Sequence, residues 1–197
     1  MARRVIGTVL LGLDRARFPW FSEDREPTDD ERSAAALASA VLMAYRRVMT
    51  ARANASKEEQ EEAVAQALLG AGLERVHRRP IVTLTDSPDR GHFCGESLFG
   101  ERKADLVVRL WDGRAMPIEC KVSNSYTNSV KRLNNDAAAK AAHWLIKFGT
   151  DQIVPSAVLT GVYKCHNLEQ AQHAGLSLFW SHALEDLVLF VASTQAK

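Results

Sequence analysis

Three residues in the middle of the chain, Asp105, Glu119 and Lys121, have the types and spacing needed to bind a metal cation beside a fixed positive charge. Glu119 and Lys121 are two residues apart, so on a strand both side chains leave the same face of the sheet. Their neighbours Ile118 and Cys120 are apolar, which predicts that the opposite face is core and that this face carries charge. Two carboxylates that lie close together repel each other and bind a divalent cation well. Magnesium suits such a pair, because it takes one or two carboxylates and keeps exchangeable waters.

The position of Asp105 relative to Glu119 depends on the turn between two apolar strand patterns, residues 106–110 and 115–122. The four linking residues, Trp-Asp-Gly-Arg, are a strong hairpin signal. A two-residue turn would pair Asp105 with Cys120 and send its side chain to the wrong face of the sheet.

We predict a three-residue loop instead, a type I turn that ends with Gly113 in the left-handed region as a bulge. This loop pairs Leu110 with Arg114 and therefore brings Asp105 opposite Glu119, with the lysine one pleat further along. A slip of one residue would turn Asp105 to the other face, so the register is a sharp structural prediction.

Helical and extended patterns alternate through the rest of the chain, as in mixed α/β folds. A first helix is predicted at 34–49, and a second begins after a break at 54–56, where Ser56 has capping-box spacing to Glu59. The elements expected after it are an extended segment at 76–84, a long loop or irregular arm at 86–100, the two hairpin strands, a helix at 130–148, a strand at 157–163, a helix at 168–174, a strand at 176–180 and a final helix at 182–191. We therefore predict a mixed sheet flanked by helices.

A chain of 197 residues with 46% apolar content can bury one core, so we expect a single domain. Residues 1–55 would form an N-terminal helical extension and residues 56–197 the catalytic core. No run of about 18 apolar residues is present, which argues against a membrane span. Arg3 and Arg4 before the apolar stretch 5–13 resemble the start of a signal peptide, but no small-residue cleavage site follows. We therefore expect a cytoplasmic protein.

The cysteines give little support for a disulfide framework or a zinc site. There are three, an odd number, and they are widely spaced. A zinc site would have to be assembled from His92, Cys94, Cys165 and His166, whose spacings match the usual ligand pairs poorly. We therefore expect no zinc.

The set of Asp105, Glu119 and Lys121 resembles the signature of the PD-(D/E)XK nuclease superfamily, an Asp at the start of a strand and Glu-x-Lys on its hairpin partner. Ala104 stands where the name of that signature has proline. Residues 103–161 also look like XamI-type type II restriction endonucleases, on the evidence of Glu-Cys-Lys-Val-Ser-Asn-Ser at 119–125, Asn-Ser-Val-Lys-Arg-Leu-Asn at 128–134, and Trp144 with Phe148-Gly149.

This resemblance implies an αβββαβ restriction-endonuclease-like core and Mg2+-dependent hydrolysis of phosphodiester bonds in double-stranded DNA with one or two ions. Asp105 and Glu119 would bind the metal, with the backbone carbonyl of Cys120 as a further ligand. Superfamily members often carry another acid on the helix before the sheet, and Glu61 is the candidate because it shares a helix face with Val64. Cleavage of both strands at a palindrome is most simply done by a homodimer.

Polar and basic residues follow Lys121. The net charge of the chain is +1, but residues 121–147 hold five basic residues and one acidic residue. Such a segment can neutralise phosphates, although a solvated helix face would have the same composition. We expect DNA contacts from Ser123, Asn124, Ser125, Asn128, Ser129, Lys131, Arg132 and Asn134. Helix capping by Asn128 or Ser129 would explain one or two of them. Trp144, Leu145 and Phe148 are expected in the core.

Two alternative functions remain compatible with the sequence. The first is a structure-specific nuclease of DNA repair or recombination that shares the same core. The second is a catalytically inactive DNA-binding module that kept the fold, although the presence of both acids and the lysine argues against it. An unrelated metabolic α/β enzyme is disfavoured, because the chain has no Gly-rich phosphate loop and no nucleophile motif.

Overall fold

The computed structural model describes residues 13–23, 25–123 and 125–195. The chain forms two compact units, Met1–Asn54 and Ala55–Lys197. The amino-terminal apolar stretch, residues 5–13, lies almost entirely outside the described residues. Among the helices described, none combines the length and the apolar character that crossing a membrane requires.

The first described helices are α1 (Trp20–Glu23) and α2 (Asp29–Gly70). A capping box begins α2: the N–H of Glu31 donates to the Thr28 hydroxyl at 3.2 Å, and the N–H of Thr28 donates to the Glu31 carboxylate at 2.9 Å. The predicted break at 54–56 is wrong, because α2 continues through it. Asn and Ser each cost less than about 1 kcal/mol in a helix interior, and the flanking Ala-rich turns offset that cost.

Eight strands occur in the described residues, and most of them form one sheet. They are β1 (Glu74–Arg75), β2 (His92–Cys94), β3 (Ser97–Phe99), β4 (Arg102–Ala104), β5 (Leu106–Arg109), β6 (Ala115–Ser123), β7 (Ser156–Gly161) and β8 (Ser177–Trp180). The main sheet has the order β1-β2-β5-β6-β7-β8, while β3 and β4 form a separate pair. Strand β6 is antiparallel to β5 and parallel to β7, so the predicted mixed sheet is confirmed.

Strands β2 and β3 correct the prediction of a loop or irregular arm at 86–100. Strand β2 lies between β1 and β5, and β3 pairs with β4. Each is three residues long, which is too short to produce a recognisable alternating pattern. These strands form because partners distant in sequence supply their hydrogen bonds. A short 3-10 turn, Leu84–Asp86, precedes them.

One long helical run follows β6. It consists of α3 (Tyr126–Arg132), a π-helical segment (Leu133–Ala138) and α4 (Ala139–Phe148), and it ends before Gly149, as predicted. The remaining helices are α5 (Cys165–His173) and α6 (Leu184–Ser193). The sequence pattern gave no indication of the π-helical segment, which is a rare conformation.

Successive residues of β5 and β6 face hydrophobic clusters on opposite sides of the sheet. Ile118 packs with Leu68 of α2 and Leu187 of α6. On the other side Val107 packs with Trp144 of α4, which is fully buried, as expected of a core residue. The charged residues of β6 alternate with Ile118 and therefore lie on the side that α4 covers.

The hairpin between β5 and β6 has the register that the sequence predicted. The Leu110 N–H donates to the Arg114 carbonyl at 2.9 Å, and the Gly113 N–H donates to the Leu110 carbonyl at 3.0 Å. Gly113 has a φ of +95°, in the region that favours glycine. The pairs along the two strands keep this register up to Leu106 and Ile118, where the regular ladder ends. The N–H of Asp105, one residue further, donates to the Ile118 carbonyl at 3.1 Å, so the predicted pairing of Asp105 with Glu119 is not part of the ladder. The predicted three-residue loop is confirmed.

Replacing Gly113 with alanine should lower the free energy of unfolding by about 1–2 kcal/mol, because a residue with a Cβ is strained at this positive φ. The added carbon would also lie 3.0 Å from Arg90 Nη2. Urea denaturation measures the loss. Gly70→Ala is the matched control, since a Cβ at that position meets nothing within 4 Å. Equal destabilisation by both substitutions would contradict the assigned turn.

Candidate active site

Asp105 stands immediately before β5 and is almost completely buried. Its Oδ2 accepts a hydrogen bond from the backbone N–H of Cys120 at 2.8 Å, and its Oδ1 lies 2.9 Å from Lys57 Nζ on α2. The carboxylate therefore acts as the acceptor for a β6 backbone amide at the point where the β5 ladder ends. This bond ties the acid to the strand that carries the other two predicted residues.

Glu119 is completely inaccessible to solvent. Lys140 Nζ lies 2.9 Å from both of its carboxylate oxygens, and Lys121 Nζ donates to Oε2 at 2.6 Å. Burial raises the pKa of Glu119, the charges of the two lysines lower it, and the negative charge of Asp105 raises it further. The structure thus holds a buried acid between two ammonium groups, with a second acid close enough to repel it.

Lys121 is also buried and makes two charged contacts. Its Nζ donates to Glu119 at 2.6 Å and to Asp136 Oδ2 at 2.8 Å. Burial by itself lowers the pKa of Lys121, but the two carboxylates outweigh that effect and the pKa is raised above its usual value. The Tyr163 hydroxyl donates to the backbone carbonyl of Lys121 at 2.9 Å, which fixes the main chain beside the lysine.

Three residues of the site were not predicted from the sequence: Lys57, Asp136 and Lys140. Asp136 lies in the π-helical segment, and Lys140 lies four residues later on α4. The spacing of these two on a predicted helix was the signal that could have identified them, since residues four apart share a helix face. Lys57 had the same relation to Glu61 on α2. Without the packing of helix on sheet, neither pair differs from an ordinary surface ion pair.

Glu61 is more buried than its acidic neighbours Glu58 and Glu62, in agreement with the orientation predicted from its helix face. Lys57 Nζ lies 3.0 Å from Glu61 Oε1, but the geometry is not that of a hydrogen bond. This oxygen is inaccessible to water and has no hydrogen-bond partner. Burial raises the pKa of Glu61, and the charge of Asp105 raises it further.

A cleft with a volume of about 510 Å3 opens beside Asp105. Glu61 lines it on the α2 side, and Arg75, His77 and Arg78 line it on the side of β1 and the segment that follows. Asp105 and Glu61 therefore border an opening to the surface that has both acidic and basic walls.

Burial argues against direct DNA contact for two of the eight residues predicted to make it, and a third is hydrogen-bonded to another part of the protein. Ser123 and Ser129 are buried, and the Ser123 hydroxyl donates to the Ser125 carbonyl at 3.0 Å. Asn134 donates through its amide to the backbone carbonyl of Asn167 on α5 at 3.2 Å. Polar side chains in a loop also serve to satisfy nearby backbone groups, and the sequence does not separate that use from ligand binding.

The other predicted DNA contacts that the structure describes are exposed or lie at the start of α3. Ser125 caps α3, with its hydroxyl accepting from the N–H of Asn128 at 3.3 Å, whereas the capping alternative left open by the sequence named Asn128 or Ser129. Lys131 and Arg132 are exposed. Arg132 Nη1 donates to the Val122 carbonyl at 2.7 Å, near the end of β6. The remaining residue, Asn124, lies outside the described residues.

The cysteines and histidines considered for zinc do not come together in the described residues. Cys94 lies in β2, while Cys165 begins α5, and strands β5 and β6 lie between β2 and β7 in the sheet. Cys120 points into the core on the opposite side from Glu119, and burial raises the pKa of its thiol well above the usual value.

The residues around Glu119 and Asp105 form what we call the charged cluster, composed of Lys57, Glu61, Asp105, Glu119, Lys121, Asp136 and Lys140. It has three positive and four negative groups, a formal charge of −1. Within the described ranges, no three acidic, histidine or cysteine side chains are arranged to hold a metal ion by themselves. Magnesium does not need three, because it binds through one or two carboxylates and completes its shell with water or phosphate. The carboxylates of Asp105, Glu119 and Glu61 fit such a cation, because all are oxygen donors and Asp105 and Glu61 border the cleft.

The mixed sheet flanked by helices, with two acids and a lysine on one hairpin, defines a protein of the restriction-endonuclease-like fold class. Within that class, the chain belongs to the XamI restriction endonuclease family, whose model matches residues 1–180. It is 50% identical over 157 residues to the type II restriction enzyme XamI of Xanthomonas campestris pv. amaranthicola. The family resemblance seen in the sequence is thereby confirmed. No solved structure matches the chain.

The aligned region covers 80% of this chain and 57% of the Xanthomonas enzyme. The chain therefore spans somewhat more than half the length of that curated relative.

Asp105→Ala should destabilise the protein by about 1–3 kcal/mol, because it leaves the buried N–H of Cys120 without an acceptor. Asp105→Asn retains an acceptor oxygen and should cost less. Urea denaturation of the purified variants measures both values. The exposed Asp151→Ala is the control and should change stability by no more than about 0.5 kcal/mol. If the Asp105→Ala variant is as stable as that control, the hydrogen bond between Asp105 and the Cys120 N–H does not stabilise the fold.

Proposed function

We propose that this chain is a type II restriction-like endonuclease that hydrolyses phosphodiester bonds of double-stranded DNA with Mg2+. The observation that carries the proposal is the proximity of the two acids and the lysine at the hairpin: the Asp105 carboxylate accepts from the Cys120 N–H at 2.8 Å, and Lys121 Nζ, on the same strand as Cys120, donates to Glu119 at 2.6 Å. Membership of the XamI family supports the choice of DNA as substrate, since the Xanthomonas relative is named a type II restriction enzyme. We further propose that the protein works in the cytoplasm.

Asp105 and Glu119 would hold one or two magnesium ions, with the backbone carbonyl of Cys120 and the carboxylate of Glu61 as further ligands. Bound there, magnesium would lower the pKa of a coordinated water and stabilise negative charge on the phosphate. The protein keeps the two acids in place before the cation arrives. Asp105 is held by the Cys120 amide and Lys57, and Glu119 is held by two lysines.

Lys121 is the group that would act on the substrate directly. An ammonium group has three N–H donors, and Glu119 and Asp136 accept two of those of Lys121. The third can donate to a non-bridging phosphate oxygen or to the attacking water. Its positive charge would also offset the negative charge that develops as the phosphodiester bond breaks. Because the lysine is buried, this electrostatic effect is stronger than it would be in water.

The exposed residues at the start of the long helical run would contact DNA. Lys131 and Arg132 are suited to phosphates, and Ser125 and Asn128 to phosphates, sugars or base edges. Asn124 belongs to the same proposed group by its place in the sequence. Ser123, Ser129 and Asn134 would instead hold the shape of this surface from inside.

We also propose that the working enzyme is a homodimer. The described residues contain one such hairpin, and cutting both strands of a palindrome is most simply done by two active sites related by a two-fold axis. A structure-specific nuclease with the same core would prefer branched DNA, and an inactive binding module would not cut at all. The family match favours restriction over both alternatives.

Glu119→Gln and Lys121→Met should each lower Mg2+-dependent cleavage by at least about 10²-fold, because each removes a charge used in the transition state. Incubation of purified protein with unmethylated phage DNA, with Mg2+ or with a chelator, measures this. Lys147→Met, on the same helical run but paired with Glu101 at the surface, is the control and should cut normally. Discrete fragments support restriction, whereas undiminished cutting by both site variants would falsify the assignment.

Lys131→Ala should weaken DNA binding and make it less sensitive to salt. Loss of one phosphate contact reduces the slope of log affinity against log salt concentration by about 0.9. The measurement is a fluorescence anisotropy titration in Ca2+ at several salt concentrations, with the Glu119→Gln protein as the parent so that DNA remains intact. Lys147→Ala serves as the control of equal charge. An unchanged slope for Lys131→Ala would remove this residue from the DNA surface.

A further inference from the structure

The helical run over β6 brings two charged side chains to the buried residues of that strand. Asp136 Oδ2 lies 2.8 Å from Lys121 Nζ, and Lys140 Nζ lies 2.9 Å from both oxygens of Glu119. The two helix residues also approach each other, with 3.8 Å between Lys140 Nζ and Asp136 Oδ1. Neither residue belongs to the two-acid and lysine set on the hairpin.

Lys140 and Lys121 differ in how many of their N–H donors already have an acceptor within the protein. Its three N–H donors have three acceptors at 2.9 Å: both Glu119 oxygens and the backbone carbonyl of Lys103. Its side chain is 18% exposed. Lys140 therefore has no donor left for a substrate and is fixed at both the sheet and the β4 backbone. Lys121, by contrast, keeps one donor.

Asp136 contacts the lysine that keeps a free donor. Its carboxylate is about half exposed, but the lysine it accepts from is buried. Burial alone raises the pKa of Asp136, yet the hydrogen bond from Lys121 and the nearby charges lower it below its usual value. The π-helical segment containing Asp136 is rare in proteins and frequent at functional sites.

We propose that Asp136 and Lys140 are positioning residues of the cleavage site, in which Lys140 holds Glu119 and Asp136 holds Lys121. This inference rests on the proposed function. The helix after the catalytic strand thus supplies the partners that orient both ends of the Glu-x-Lys pair. Fixing a reacting group to within a fraction of an ångström is worth a large factor in rate, since a displacement of about 1 Å can cost roughly 10²-fold.

The first experiment measures kcat and KM for Asp136→Ala with Mg2+ and a DNA substrate that the unmodified protein cuts. We expect kcat to fall by about 10- to 100-fold while KM for DNA stays the same, because an aligning contact is lost and the DNA surface is intact. Asp136→Asn keeps an acceptor oxygen and should recover part of kcat. Glu101→Ala removes an exposed acid that pairs with α4 and should leave both constants unchanged.

Two outcomes would overturn the role of Asp136. If Asp136→Ala cuts at the unmodified rate, the residue does not position Lys121. If KM falls and kcat is kept, Asp136 is a surface acid that merely repels DNA. Should the unmodified protein fail to cut any DNA with Mg2+, the proposed function itself fails, and this result is distinct from either.

The second experiment tests Lys140 through stability, which does not depend on activity. Lys140→Met should lower the urea midpoint, because it removes a counter-ion from a buried carboxylate. In a Glu119→Gln background the same substitution should cost less than half as much, since the neutral amide no longer needs that charge. Lys147→Met is the matched control and should give a small effect that is equal in both backgrounds.

An equal loss for Lys140→Met in both backgrounds would show that Lys140 contributes packing rather than charge to Glu119, and would overturn its part of the proposal. This cycle gives its answer even if the protein cuts no DNA. The proposal is supported if Lys140→Met costs less stability in the Glu119→Gln background and Asp136→Ala lowers kcat. The two results together would show that the helical run positions both Glu119 and Lys121.

Discussion

The structure depends on keeping the carboxylate of Glu119 charged in a position that water does not reach. An ion moved out of water loses several kcal/mol of hydration, which neighbouring charges and hydrogen bonds must replace. Lys121 supplies one partner from the same strand, and Lys140 supplies the other from α4. The helix must therefore cross the strand within reach of this carboxylate. The π-helical segment, the ion pair with Asp136 and the anchoring of Lys140 to the β4 backbone all lie in the stretch that achieves this crossing.

Much of the site could be predicted from the sequence, because its geometry is set by a short local element. The Trp-Asp-Gly-Arg turn fixes the hairpin register, and the register brings Asp105 next to the part of β6 that carries Glu119 and Lys121. The strands β2 and β3, the continuity of α2 and the roles of Lys57 and Lys140 were beyond such reasoning. Each depends on a partner distant in the chain, whose position no local pattern encodes. A lysine on a helix has the same sequence signature whether it faces solvent or a buried acid.

The polar loop after β6 illustrates a second reason why part of the site could not be predicted from the sequence. Seven hydrogen-bonding side chains in a row look like a binding surface, but a chain that turns from a buried strand into a helix also needs partners for its own amides and carbonyls. Ser123 and Ser125 meet that internal need. The exposed residues that remain available to a partner include Asn128 and the basic ones that follow, Lys131 and Arg132. The composition of the sequence identified this loop as a possible binding surface. The burial of each side chain in the structure then separated residues that bond to the protein's own backbone from residues that a partner could reach.

Cys120 lies between the two charged residues of β6, yet its thiol is buried on the opposite side and its pKa is raised well above the usual value. Alkylating and oxidising reagents attack the thiolate, so the native protein protects this sulfur even though Asp105 beside it borders the cleft. Exposure of the thiol requires strands β5 and β6 to separate from the helices that cover them. The rate at which the Cys120 thiol reacts, compared with the rate for the exposed Cys165, therefore measures how often strands β5 and β6 separate from the helices that cover them.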